Sequence, residues 1–128
     1  GIVGYIVVSG SIPPLLAIGG GSLWAMAMHT FSAIPDIGPD KKSGIKTLAT
    51  SLGQSKTLAY CGSCWFASSI LFALVDVRLG IFLSSYLAIL GIIVLRKIEV
   101  EVAYWWYPKI NTIIGFVLVI GGIWRIVI

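Results

Sequence analysis

Apolar residues run almost unbroken along four stretches of the chain, 14–34, 58–75, 79–95 and 110–128, each parted from the next by a more polar linker. The hydrocarbon core of a bilayer takes about 20 apolar residues of helix, with a range of about 17–25, so each stretch is long enough for a span. Residues 1–8 read as the tail of a fifth. The turn Ser9-Gly10-Ser11-Ile12-Pro13-Pro14 separates that tail from the next run. Proline suits a helix start because the N–H it lacks has no partner there. The pattern predicts an all-α, polytopic transmembrane helix bundle with about four full spans, forming a single membrane domain over 1–128. The opening, Gly1 followed by an apolar run, has no charged n-region and no small-residue cleavage site. It reads as the inside of a helix rather than a signal peptide, and the chain as part of something longer.

Composition narrows the class. Of 128 residues, 58% are hydrophobic and 11% charged, against about 25% charged in soluble domains; there are too few polar groups to cover a soluble surface. Nine Lys or Arg against five Asp or Glu give a formal charge of +4. The basic residues fall between apolar runs, with no aromatic-and-basic stretch, so no nucleic acid partner is expected. Charge belongs instead to topology and to an anionic partner such as membrane lipid or phosphate. The first linker carries Lys41, Lys42, Lys46 and Lys56, and the second only Asp76 and Arg78. The third carries Arg96, Lys97 and Lys109 with Glu99 and Glu101. The positive-inside rule then places the first and third linkers in the cytoplasm, in the cell membrane of a prokaryote. Trp105, Trp106 and Tyr107 beside Lys109 fit an interfacial aromatic belt.

Ionisable groups at membrane depth are costly and mark sites. Ser22, His29, Ser32 and Asp36 recur at spacings of seven, three and four, which puts them on one helical face. Ser22 suits helix–helix glue; His29 is a candidate for the site itself. Asp36 and Asp40 are four apart, but Pro35, Gly38 and Pro39 are poor helix residues. The helix is expected to loosen here and leave both carboxylates at the membrane surface. Two such carboxylates repel each other, and a divalent cation resolves the repulsion. Mg²⁺ is usually held by one or two carboxylates plus phosphate oxygens. The basic residues that follow, Lys41, Lys42 and Lys46, suit the remaining charge of such a phosphate.

The stretch from Ile34 through Asp36-Ile37-Gly38-Pro39-Asp40 and Gly44-Ile45-Lys46-Thr47 to Leu52-Gly53 resembles the second aspartate-rich motif of the UbiA superfamily of membrane prenyltransferases. That motif reads D-x-x-x-D, then G-[IV]-[KR]-[ST], then a small-residue run ending in Leu-Gly. The flavour is closest to the branch of lycopene elongases and archaeal lipid prenyltransferases, and Tyr107-Pro108-Lys109-Ile110-Asn111 is similar to the start of that branch's last helix. The resemblance implies the C-terminal half of a nine-helix fold. It implies Mg²⁺-dependent transfer of a polyprenyl group from its diphosphate to a lipophilic acceptor. Asp36 and Asp40 would hold Mg²⁺, with Lys46 on the diphosphate and Lys42, Thr47 and His29 as further substrate-binding candidates. The family's first motif, an Asn and Asp cluster on an earlier helix, has no counterpart in this sequence. The other jaw is therefore expected from an N-terminal half of the same protein, and the 128-residue piece is expected to be inactive alone.

Other signals weigh less. Cys61-Gly62-Ser63-Cys64 has redox spacing but sits in an apolar span, where small residues for helix packing explain it better. Gly19, Gly20 and Gly21 lack the Lys and Ser or Thr of a phosphate loop and suit close helix approach. Asp76 with Arg78 reads as a solvated turn, and Glu99 with Glu101 as charged surface. A CDP-alcohol phosphatidyltransferase also uses D-x-x-x-D, but its upstream Asp-Gly and Ala-Arg are missing. A non-catalytic subunit or transporter fragment with a cation-binding loop would leave the Gly44–Thr47 and Leu52-Gly53 pattern unexplained.

Overall fold

A computed structural model describes residues 2–127, with the side chains of 4, 118 and 122–127 undescribed. The expected first residue of the N-terminal tail, Gly1, and the expected end of the last span, Ile128, lie outside the described residues. Among the described residues seven helices follow one another: α1 Ile2–Ser9, α2 Leu15–Ser32, α3 Ile37–Lys42, α4 Leu48–Val75, α5 Val77–Leu95, α6 Val100–Tyr104 and α7 Trp106–Val127. No strand occurs among the described residues. The architecture is an all-α membrane bundle, and among the described residues α4 and α5 are the two helices long and apolar enough to cross a bilayer by length and composition. Large apolar side chains such as Phe66, Leu74, Ile81 and Phe116 point outward and are exposed. In a bilayer such side chains would meet apolar surroundings and incur no hydration penalty.

Helix α4 is the centre of the bundle, packed along α2 on one side and α5 on the other. Both contacts depend on residues without bulk. A Cβ at Gly20 of α2 would come within 2.8 Å of the Phe72 ring on α4. At Gly80 of α5 it would lie 2.8 Å from the Ala73 Cα and 2.9 Å from the Ser69 carbonyl oxygen, both on α4. Ser68 then donates to the Gly20 carbonyl at 2.7 Å, a buried interhelical bond. Small residues and hydroxyls hold helices together where no hydrophobic force acts between them. Gly20 thus has the close-approach role its sequence context suggests.

The chain reverses between α4 and α5 at a single residue, Asp76, in extended conformation. Its Oδ1 accepts from the Arg78 N–H at 2.8 Å, capping α5. At the other end of the bundle the connections are longer, and the core lies just beneath them. Phe31, Ile34, Trp65, Tyr86, Ile93 and Tyr107 belong to one buried cluster. Tyr107 stacks on Trp65 with centroids 5.1 Å apart and planes 15° from parallel, and lies 4.5 Å from Phe31. It is 1% exposed, so of the three aromatic residues assigned to a belt, Tyr107 belongs instead to the core; Trp105 remains exposed.

One other expectation is corrected. Helix α4 begins ten residues before the apolar run that announced it, because Thr47 caps polar residues that would otherwise read as a linker. The Thr47 hydroxyl accepts from the Thr50 N–H at 3.0 Å, and the Thr50 hydroxyl in turn accepts from the Thr47 N–H at 2.8 Å. This capping box satisfies two otherwise unpaired donors. The helical run is then broken at Gly53, which sits at φ 73°, ψ 166°, a region open essentially to glycine alone.

Candidate functional site

The acid-bearing segment is helical rather than loose. After Ala33 caps α2, the chain turns and re-enters a helix at Ile37. Pro39 is tolerated because it is the third residue of α3, inside the first turn, where backbone N–H groups have no intrahelical partner. The Asp40 N–H donates to the Asp36 carbonyl at 2.8 Å, so the two acids are one helical turn apart on one face. The Asp36 side chain makes no capping bond and is exposed, whereas Asp40 is half-buried. The helix ends cleanly. Gly44 at φ 71° lets Ile45 N–H reach the Asp40 carbonyl at 2.9 Å and its own N–H reach Lys41 at 3.3 Å, a Schellman closure.

This geometry offers two carboxylates one helical turn apart at one end of the bundle, with Lys41 and Lys42 in the last turn of α3. No group of three or more His, Cys, Asp or Glu side chains suited to a metal occurs among the described residues. Two carboxylates fit a cation that takes its other ligands from water and phosphate, which is how Mg²⁺ is commonly bound. Lys46 is exposed just beyond the Gly44 turn. Thr47 is half-buried, and its hydroxyl serves the α4 cap.

His29 is not joined to the acidic pair. It lines a separate cleft of about 260 Å³ between α2 and the start of α7, with Ser32, Tyr104 and Asn111 among its other walls. Ser22 bonds its own helix, donating to Ile18 at 2.9 Å. A third region had no sequence signal beyond charge: Gln54, Glu99 and Glu101 face Gly38 and Pro39 across a cleft of about 500 Å³. Neither Asp36 nor Asp40 lines it. The Tyr86 hydroxyl donates to Asn111 Oδ1, a link between α5 and α7 that only the fold reveals. Cys61 and Cys64 are free and buried, and the Cys61 thiol donates to the Ala27 carbonyl at 3.4 Å, as packing residues do.

The chain is 50% identical over 127 residues to the lycopene elongase/hydratase of Haloferax volcanii, covering 99% of this chain and 42% of that protein. It is 55% identical over 126 residues to the lycopene elongase/hydratase of Halobacterium salinarum, covering 96% of this chain and 45% of that protein. The enzyme of the same name from Haloarcula japonica is 44% identical over 124 residues, covering 97% of this chain and 42% of that protein. The chain thus spans less than half the length of the curated relatives it matches. No solved structure matches. The model of the UbiA prenyltransferase family matches residues 1–109, a stretch that contains α1 to α6 and both acids, and the chain belongs to that family.

Proposed function

We propose that this chain supplies one jaw of a Mg²⁺-dependent diphosphate clamp in an integral membrane prenyltransferase. The observation that carries the proposal is the Asp36–Asp40 pair, one helical turn apart at the end of the bundle, in a chain of this family. Asp36 and Asp40 would hold Mg²⁺, while Lys46 and Lys42 would meet the diphosphate of a polyprenyl donor. The bound ion would supply Lewis-acid stabilisation of the charge that grows on the leaving diphosphate.

The chain's own residues then do three things. The short helix α3 presents both carboxylates on one face. The Gly44 turn brings Lys46 after them. The capping box at Thr47 fixes the direction in which the chain leaves the site. Positive side chains held near a departing diphosphate lower the barrier because the charge they meet develops in the transition state. The names of the relatives point to an acyclic polyene hydrocarbon such as lycopene as the lipophilic acceptor. By the positive-inside rule the Lys-rich linkers, and the site with them, would lie on the cytoplasmic side of a prokaryotic cell membrane. The second jaw, an Asn and Asp cluster, would come from residues outside these 128, so this chain alone would be inactive.

The test uses membranes from cells expressing the complete gene. Labelled prenyl diphosphate and lycopene are supplied, and labelled lipid is identified by mass spectrometry with and without EDTA. A prenylated polyene that disappears with EDTA supports the proposal. Transfer undiminished by EDTA, or no labelled polyene, overturns it.

A further inference from the structure

Basic residues outside the acidic turn gather where α4 begins and α5 finishes. Lys56, Arg96 and Lys97 are all exposed there, and on the following turn Trp105 is exposed with its ring edge-on to Tyr104. Exposed tryptophan beside charge marks the headgroup level of a bilayer. Between the two helices and the start of α6 lies a cleft of about 320 Å³. Leu58, Ile93 and Val94 line its apolar side, and Gln54, Lys97 and Glu99 its polar side. Lys97 stands at φ 50°, a conformation that strains a residue with a β-carbon and that glycine favours. A long basic side chain is thus kept where the backbone is better served without one. Glu99 opens α6 but makes no capping bond, so its carboxylate is not taken up by the helix it starts.

We propose that this cleft holds the headgroup of an anionic phosphodiester lipid from the surrounding membrane, one whose headgroup ends in hydroxyls. The Lys97 ammonium would meet the phosphate in a charge-assisted contact. Glu99 and Gln54 would accept from the headgroup hydroxyls, and the first carbons of the chains would lie over Leu58 and Val94. Charge decides the class. Lys56, Arg96 and Lys97 outweigh Glu99, while Glu101 lines the neighbouring cleft. A zwitterionic choline headgroup would bring its own cation to a rim that is already basic, and it has no O–H or N–H for Glu99. A headgroup with two negative charges would be repelled by that carboxylate.

The apolar wall favours a lipid over free phosphate, which has nothing to lay against Leu58, Ile93 and Val94. Basic pockets between spans are a general form of lipid recognition. A lipid held here would bridge the start of α4, the end of α5 and the start of α6. A ligand that binds only the folded protein raises its stability by mass action, so binding can be read as stability. The inference is independent of the prenyl-transfer reading.

In the experiment, the product of the complete gene is reconstituted in phosphatidylcholine bilayers with rising fractions of phosphatidylglycerol, and its thermal-unfolding midpoint is followed. Wild type is expected to gain stability and to saturate. Lys97→Gln removes the charge in place, whereas Val94→Trp fills the cleft and leaves every charge unchanged. Each is expected to raise the half-saturating fraction about tenfold, the scale of one charged hydrogen bond. Val94 is 53% exposed, so the larger ring enters open space; if Val94→Trp fails to fold, Val94→Phe is read in the same way. Lys109→Gln removes the same charge outside the cleft and is expected to leave the fraction within about twofold, surface charge being screened. Phosphatidate, with more charge and no headgroup hydroxyl, is expected to stabilise less, and inorganic phosphate in phosphatidylcholine not at all. No gain in wild type, equal losses in the two lysine variants, or an undiminished gain with the cleft filled overturns the inference. So does phosphatidate or inorganic phosphate that matches phosphatidylglycerol.

Discussion

Asp40 donates its backbone N–H to the carbonyl of Asp36 at 2.8 Å, so the two acids share one turn of α3 although two prolines and a glycine surround them. The bond fixes the spacing of the carboxylates without using their oxygens. Removing either carboxylate therefore leaves the backbone arrangement in place and would subtract only a proposed ligand. Asp36→Ala and Asp40→Ala are each expected to lower Mg²⁺-dependent prenyl transfer by about a hundredfold or more while membrane insertion and thermal stability stay unchanged. Diphosphate release from membranes, beside a protease-protection assay for topology, checks both halves. Turnover within a few-fold of wild type in either variant removes the metal role.

Lys46 and Thr47 are adjacent, yet their surroundings differ. Thr47 spends its hydroxyl on the Thr50 N–H at 3.0 Å, whereas Lys46 is exposed beside the acidic turn. Lys46→Ala is expected to raise KM for the prenyl diphosphate about tenfold, worth about 1.4 kcal/mol, with little change in stability. Thr47→Ala is expected to cost about 1 kcal/mol of stability through the lost cap, with a smaller effect on KM. Steady-state kinetics and thermal inactivation of the same two proteins in detergent separate these outcomes. Reversed effects would exchange the two roles.

The long helices were legible because an apolar run of bilayer length is rarely anything but a membrane helix, with α4 and α5 the two among the described residues that are long and apolar enough to cross, and the acids because nothing in topology calls for an i, i+4 carboxylate pair. What was hidden lay where local composition and tertiary contact disagree. Residues 48–57 carry Thr, Ser, Gln and Lys and look like a linker, but a reciprocal cap at Thr47 makes them the first turns of α4. Pro39 argued for a loose loop, and only its place in the first turn of α3 reconciles it with a helix. Tyr107 sits beside two tryptophans and looks interfacial, while its partner Trp65 is 42 positions away in the chain (107 − 65). No local pattern announces a stack over that distance, and the same holds for the bond from Tyr86 to Asn111.

Gly80 marks the tightest approach between α4 and α5. A methyl group there would meet the Ala73 side chain, and it would stand 2.8 Å from the Ala73 Cα and 2.9 Å from the Ser69 carbonyl. Backbone atoms cannot swing aside as a flexible side chain can, so α5 has to move as a body. Gly80→Ala is expected to cost roughly 1–3 kcal/mol, the range for overpacking, seen as a lower thermal-inactivation midpoint. Adding Ala73→Gly removes one of the three collisions and should recover part of the loss. Full stability in Gly80→Ala would mean that the two helices are not held this closely.

Two positions of positive φ make opposite predictions. Gly53 lies at φ 73°, ψ 166° in open space, with no atom within 4 Å of an added Cβ. Gly53→Ala therefore probes backbone strain alone and is expected to cost roughly 1–3 kcal/mol, or to straighten the break and shift Lys46 and Thr47. Lys97 is at φ 50°, the one non-glycine residue of positive φ among the described residues. It closes α5 in the same Schellman pattern as Gly44, with Ile98 N–H on the Ile93 carbonyl at 3.0 Å and Lys97 N–H on Val94 at 3.3 Å. Glycine is the residue this position favours, so Lys97→Gly is expected to stabilise the protein by about 0.5–1 kcal/mol, the left-handed strain of lysine being relieved. Thermal inactivation of the two variants in parallel checks the pair. A loss of stability in Lys97→Gly would show that the lysine side chain contributes more than its backbone conformation costs.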